Sequence, residues 1–299
     1  MIRFGYTTIQ LRMFYLALSI VCSTCIFLIF RQFSRYEIDN FQAIVFNYLT
    51  AALIGFSLSD ADYGFSDDGS NTWIWVAVLT GILFISMFNV IAVTTQELGV
   101  AVASVAAKVS LIIPVLIAVP LYGDEMPLVK VVGITLALLS VFLTFYTKDE
   151  RLKSGRLWFL PVILFIGTGL LDTLLKFTQS VLLSEEQFNI FSSILFAVAG
   201  GIGMIVALII MIGTRRKFRL KNVLAGVVLG VPNYGSIYFL LQTFEHSNME
   251  SSVIFPINNM GIVALSALAA YIFFSEKLSA LNWAGIGISI LAIGVISFA

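Results

Sequence analysis

The chain has 299 residues, 59% of them hydrophobic and only 11% charged, with a mean hydropathy of +0.99. A soluble domain carries closer to a quarter charged residues, so this composition describes an integral membrane protein. Seventeen Lys and Arg balance seventeen Asp and Glu, which argues against a nucleic-acid partner and against simple adhesion to anionic lipid.

Ten apolar segments follow in chain order, over 11–30, 41–58, 73–93, 99–121, 128–146, 157–182, 188–212, 222–243, 249–274 and 279–298. Each approaches the ~20 residues needed to cross a hydrocarbon core, and lipid satisfies no backbone polar group, so each is predicted to be a helix. The first has a short arm before it and no small-residue cleavage site after it, and reads as a retained span rather than a signal peptide. Cys22 and Cys25 share a face of that segment, but no second Cys or His pair completes a metal or redox site. They read as packing residues, and the sequence calls for no cofactor. Trp73, Trp75, Trp158 and Trp283 fall at segment ends, where interfacial anchors sit. His246, the only histidine, reads as a solvated loop residue beside Glu245.

The charged stretch 147–156 (TKDERLKSGR) falls at the midpoint and reads as a linker between two units, 1–146 and 157–299. GDEMPLVKVVGITLALLSVFLTF, from Gly123, aligns without gaps on SEKLSALNWAGIGISILAIGVIS, from Ser275. In both, an acid (Asp124, Glu276) precedes a helix with a glycine at the same offset (Gly133, Gly285). Upstream, TTQELGVAVASV from Thr94 lies against QTFEHSNMESSV from Gln242, with the offset changed by one helical turn. Five spans per unit is an odd number, so the second unit enters the membrane upside down. The predicted fold is therefore an all-α membrane protein of ten transmembrane helices arranged as two inverted five-helix repeats. Such repeats build many secondary transporters, with the substrate site near the midplane between them.

On these paired acid–turn–glycine helix endings and the tight joins between the third and fourth and between the eighth and ninth segments, the chain resembles the ten-helix, EamA-type members of the drug/metabolite transporter superfamily. The resemblance covers essentially the whole length. It departs in the first segment, where relatives often carry a Trp-Gly step and this chain has Cys22-Ser23-Thr24-Cys25. The resemblance implies outward transport of small metabolites such as amino acids by alternating access, in a plasma membrane (the inner membrane, for a bacterium). A fused inverted pair supplies both halves of a transport unit, which is compatible with a working monomer.

Orientation follows from the basic residues. Of the 17, twelve fall in odd-numbered connections, notably 148–156 and 215–221 with Arg31, Arg35 and Lys277. Four fall in the N-terminal arm and the even-numbered connections, and the last is Lys108. Basic loops are cytoplasmic, so the count sets both termini outside, whereas the resemblance implies both inside.

Lys108 lies in the middle of the fourth segment, with Ser104 one turn before it. An ammonium there costs roughly 2.5–3.5 kcal/mol on insertion scales, so it is expected to face a protein interior or a wet cavity. Its counterpart in the ninth segment falls between Pro256 and Met260, which brings in Asn258 and Asn259, with Ser252 two turns earlier. Pro114 and Pro256 are expected to kink these helices and free carbonyls. Two readings stand. Lys108 meets an anionic group of a substrate, such as a carboxylate, while the Asn amides orient the rest; or these groups bond only to each other.

Asp172 and Lys176 are four apart in the sixth segment. They form a structural intrahelical pair, or Asp172 reaches Lys108 as a gate or proton site while Lys176 snorkels to the interface. Asn89, Asn233 and Tyr234 are expected in the cavity wall or in interhelical bonds, and Pro232 is expected to break its helix. An intramembrane enzyme would need a nucleophile with a base, a metal cluster or paired carboxylates, none of which the sequence offers. A channel or lipid scramblase would want a continuous polar stripe, whereas polar residues here concentrate at mid-depth. The expected function is a secondary transporter, not an enzyme, whose partners are a small-molecule substrate and the lipid bilayer.

Overall fold

The computed structural model describes residues 2–58, 72–122, 127–145, 157–178, 187–214, 217–245 and 251–297. The acidic loop 60–71, the charged stretch 147–156, Asp124 and His246 lie outside the described residues.

Eleven helices make up the described chain: α1 (Ile2–Arg35), α2 (Asn40–Leu58), α3 (Thr72–Leu98), α4 (Val100–Val109), α5 (Ile112–Tyr122), α6 (Leu128–Phe145), α7 (Phe159–Phe177), α8 (Gln187–Thr214), α9 (Leu220–Glu245), α10 (Ser251–Phe274) and α11 (Ala280–Ser297). Among the described residues, eight helical stretches are long and apolar enough to cross a membrane, with α4 and the start of α5 counted as one span, Val100–Ile117. Two shorter apolar helices, Leu128–Thr144 and Ala280–Ile296, complete the set. At 1.5 Å per residue each of these two is ~25 Å long, below the ~30 Å of a hydrocarbon core. The chain is thus a multi-pass, all-helical membrane protein.

Two prolines act differently. Pro114 has no N–H for the carbonyl of Ser110, and the apolar segment 99–121 divides there: α4 ends, Ile113 N donates to Ser110 O at 2.9 Å, and α5 begins. Pro232, expected to break its helix, does not: α9 runs unbroken through it. Neighbouring helices can hold a proline-containing helix together in a membrane bundle.

Two hydrophobic cores organise the bundle. The first joins α1, α2, α3, α7, α8 and α9 around the fully buried Tyr48, whose hydroxyl donates to Phe84 O at 3.0 Å and whose ring packs against Phe84, Phe88 and Phe196. The second joins α6 and α11 to faces of α4 and α10, through Ala137, Ile286, Ile293, Val105 and Val263. Close helix approach is set by small residues: Gly226 and Gly230 of α9 lie directly on the α2 backbone at Ala43 and Asn47. At Gly285 of α11 a Cβ would stand 2.7 Å from Thr144 N, so α6 and α11 touch backbone to backbone.

Among the described residues, α4 and α10 place fully buried side chains in both cores, and α7 reaches the second through the partly buried Phe165. Val100, Ala103 and Ala107 of α4 enter the first, and Ala101, Val105 and Val109 enter the second. On α10, Ile262 enters the first and Val263 the second. A seam between the cores therefore follows these two helices.

Candidate functional site

Helical geometry puts residues one turn apart on one strip. Ser104 and Lys108 occupy the strip of α4 between its two core-facing sides, on the seam. Lys108 is half-buried as a residue, with its charged end set deep among protein atoms. Asp172 of α7 is in the same condition, and the two charges act on each other across the α4–α7 contact without closing a contact ion pair. Lys176, one turn further along α7, is exposed. The α7 backbone comes close here because Gly167 lies on Met87 of α3 and Gly169 on Ile113 of α5.

On α10, Asn259 lies between the Ile262 and Val263 faces and is half-buried on the seam. Asn258 is buried, and its Oδ1 finds no protein partner. It shares a face with Gly261, which sits on Ile20 of α1. Ser104 does not offer its hydroxyl to the seam, because Oγ donates to Ala101 O at 3.0 Å within its own helix. Asn89 is half-buried on α3 and Nδ2 donates to Ile85 O at 2.8 Å. The side chain of Ser252 lies outside the described residues.

Asn233 and Tyr234 belong to the packing of α9 on α2 rather than to the strip that carries Lys108. Asn233 is buried one turn beyond Gly230, with Nδ2 unpartnered, and Tyr234 stacks on Tyr238 with ring centroids 6.0 Å apart and lies against Gly55. Facing them on α2 is Asn47, which is fully buried and has neither amide atom bonded. Nothing singled it out in the sequence, although an amide in the run FQAIVFNYLTAALIG has the same character as Asn258.

A second polar cluster, whose members nothing in the sequence brings together, closes one end of the seam. Gly99 alone separates α3 from α4, at φ +100°. Arg31 of α1 donates through Nη1 to the carbonyls of Thr95 and Gln96, at the end of α3. Glu276, in the α10–α11 connection, accepts the N–H of Val100 at 3.0 Å and that of Ala101, at the start of α4. Arg31 Nε and Glu276 Oε1 are 3.7 Å apart. Each charge thus meets the helix end it complements: the cation the carbonyl end of α3, the anion the N–H end of α4. Gln96 adds a reciprocal amide pair with Asn40, at 2.8 and 3.2 Å.

Local structure aims the carboxylate. Ser275 adopts a left-handed conformation (φ 51°) that ends α10, and Glu276 N donates back to Ala270 O. Ser279 and Asn282 then cap each other at the start of α11, and Asn282 Nδ2 reaches Thr144 O at 2.8 Å. Burial pushes the Glu276 carboxyl above the usual carboxylate range, while the Val100 N–H, Arg31 and the Ala101 N–H pull it back. The one signal in the sequence was its alignment with Asp124 at the same place in the repeat.

No protein-family model matches the chain. It is similar to an uncharacterized protein of Haemophilus influenzae, 27% identical over 286 residues that cover 93% of this chain and 95% of the relative. The similarity runs through the whole bundle and brings no activity with it.

Proposed function

We propose that this protein is a secondary transporter of small metabolites, built as two inverted five-helix repeats. The observation that carries the reading is the pair Lys108 and Asp172, two charges set among protein atoms and opposed across the seam without a contact ion pair. A charge at mid-membrane needs a partner, and this pair leaves room for a substrate group to supply one. A carboxylate on Lys108, with a donor on Asp172 and Asn259 beside them, fits that arrangement; amino acids are the class the resemblance implies.

The helix contacts support the repeat. Matching each helix to the one five spans later exchanges α2–α9 with α3–α8, α1–α9 with α3–α7, α1–α10 with α4–α7, and α10–α11 with α4–α6, while α2–α8, α4–α10 and α6–α11 map onto themselves. These contacts all occur, while the contacts of α3 with α1 and α2 have no image of comparable extent in the second unit. The basic residues assign the face bearing Arg31, Lys217 and Lys277 to the cytoplasm of the cell membrane.

The test is a thermal-shift screen of amino acids and other small carboxylates on the purified protein and on Lys108→Ala. A ligand at a hundred times its Kd stabilises the folded state by about 2.7 kcal/mol. A shift that the variant loses while remaining folded is the expected result. Equal shifts in both proteins would remove Lys108 from the site, and no uptake of any shifting ligand into proteoliposomes would remove transport.

A further inference from the structure

We infer that the Arg31–Glu276 pair is the gate on the Lys/Arg-rich face, a tie across the seam that must part before the centre opens to that side. The inference rests on the transporter reading. It names the moving contact, which that reading leaves open.

The argument starts from which core owns each partner. Arg31 ends α1, and Thr95 and Gln96 end α3; both helices belong to the first core. Glu276 lies in the turn that leads from the first-core end of α10, where its N–H donates to Ala270 O beside Phe274. That turn runs to α11, which belongs to the second core and whose start Asn282 fastens to α6. The pair therefore ties the ends of α1 and α3 to the turn through which the chain enters the second core, and its carboxylate side chain is only 10% exposed. It sits at the one-residue join where the chain passes from the first core into the seam helix α4. Gly99 there has a conformation essentially reserved for glycine (φ 100°, ψ 163°), and a Cβ would stand 2.7 Å from Glu276 Oε2. A single glycine between two helices allows their axes to turn against each other, and Arg31 and Glu276 fix that angle from its two sides.

The tie also has a reason to be breakable. Arg31 and Glu276 each keep a helix end to bond when they separate, so parting leaves neither charge stranded. That distinguishes it from a buried pair, in which separation exposes two unpaired charges to low dielectric. Closing the contact seals the end of the seam; opening it costs one ion pair, not the caps of α3 and α4.

The experiment places a reporter in the seam and reads it from both faces. In a background with Cys22→Ala and Cys25→Ser, Asn259→Cys is reconstituted in vesicles of known orientation and labelled with a membrane-impermeant maleimide from either side. With the tie intact, labelling comes chiefly from the face opposite the basic one. Glu276→Gln keeps an oxygen for the Val100 N–H but loses the ion pair, and is expected to move the ratio of labelling between faces roughly tenfold towards the basic side, as ~1.4 kcal/mol would. Arg31→Gln, which retains amide donors for the α3 carbonyls, is expected to do the same. An unchanged ratio in both variants overturns the gate and leaves the transporter standing. A rise from both faces together marks general loosening and also overturns the gate. A reporter labelled from neither face in any variant removes the transporter reading, and the gate with it.

Discussion

The seam carries two polar clusters of opposite character. At its Lys/Arg-rich end Arg31, Gln96, Asn40 and Glu276 are bonded to one another or to helix ends. At mid-depth Lys108 and Asp172 face each other unjoined, and Asn258 Oδ1 has no protein partner. Polar groups in a membrane interior are costly unless bonded, so saturation is the expected end state of a structural cluster. Missing bonds alone do not mark a site, since Asn47 and Asn233 are also incompletely bonded within the α9–α2 packing; on the transporter reading it is the unjoined charge pair that awaits a substrate group. Residue type alone does not separate the two, since both contain a cation, an acid and amides. What separates them is pairing: Arg31 and Glu276 each meet the helix end of complementary charge, whereas Lys108, although in the last turn of α4, and Asp172, within α7, close no contact ion pair.

The largest effect should come from breaking the saturated cluster at its join. Gly99→Ala puts a side chain into a backbone conformation that costs about 1–3 kcal/mol for residues other than glycine, before its collision with Glu276 is counted. The thermal melting point should fall by several degrees with or without ligand. A melting point equal to that of the parent would mean that the α3–α4 angle is not held by this cluster at all.

A smaller effect, and the sharper contrast, is expected at the centre. Asn258→Leu removes a buried amide whose Oδ1 is unbonded and replaces it with an apolar side chain of the same branching. Such exchanges are close to neutral for stability, whereas stripping one partner from a satisfied bond costs about 1–3 kcal/mol. The variant should melt within about 1 kcal/mol of the parent while losing ligand-induced stabilisation. A large drop in melting point without ligand would make Asn258 a structural residue and dissolve the contrast between the clusters.

The helical membrane architecture was legible because apolar runs of spanning length have only one fold available to them in lipid. The placement of Lys108 on an interior strip was legible for a related reason: a charge in such a run has nowhere else to go. The break at Ser110 could be read only in outline, since proline removes one bond but the neighbours decide whether the helix parts, as at Pro114, or holds, as at Pro232. Asn233 and Tyr234 share the composition of a cavity wall, yet Gly226 and Gly230 draw their helix onto α2 and carry both residues into that contact. The Arg31–Glu276 tie was invisible because its partners are 245 positions apart in sequence and meet only once the two cores are assembled.

The smallest predicted effect concerns pH. Burial raises the Glu276 carboxyl above its ordinary value, so the folded protein binds this proton more tightly than the unfolded chain does. By linkage, the contribution of Glu276 to stability is fully present below the unfolded-state value and is lost as pH rises through the folded-state value. Between those two values the melting point of the parent should fall with rising pH more steeply than that of Glu276→Gln. The tie has the opposite sign, because a protonated Glu276 no longer pairs with Arg31. Acidification through the same window should therefore move seam labelling towards the basic face even as the fold gains stability. General unfolding cannot produce that pairing, since it would loosen the seam and lower the melting point together. If labelling and melting point shift together in that way, or if Glu276→Gln shows the same pH slope as the parent, the carboxylate is not the group that titrates and the saturated end of the seam is held by its amides alone.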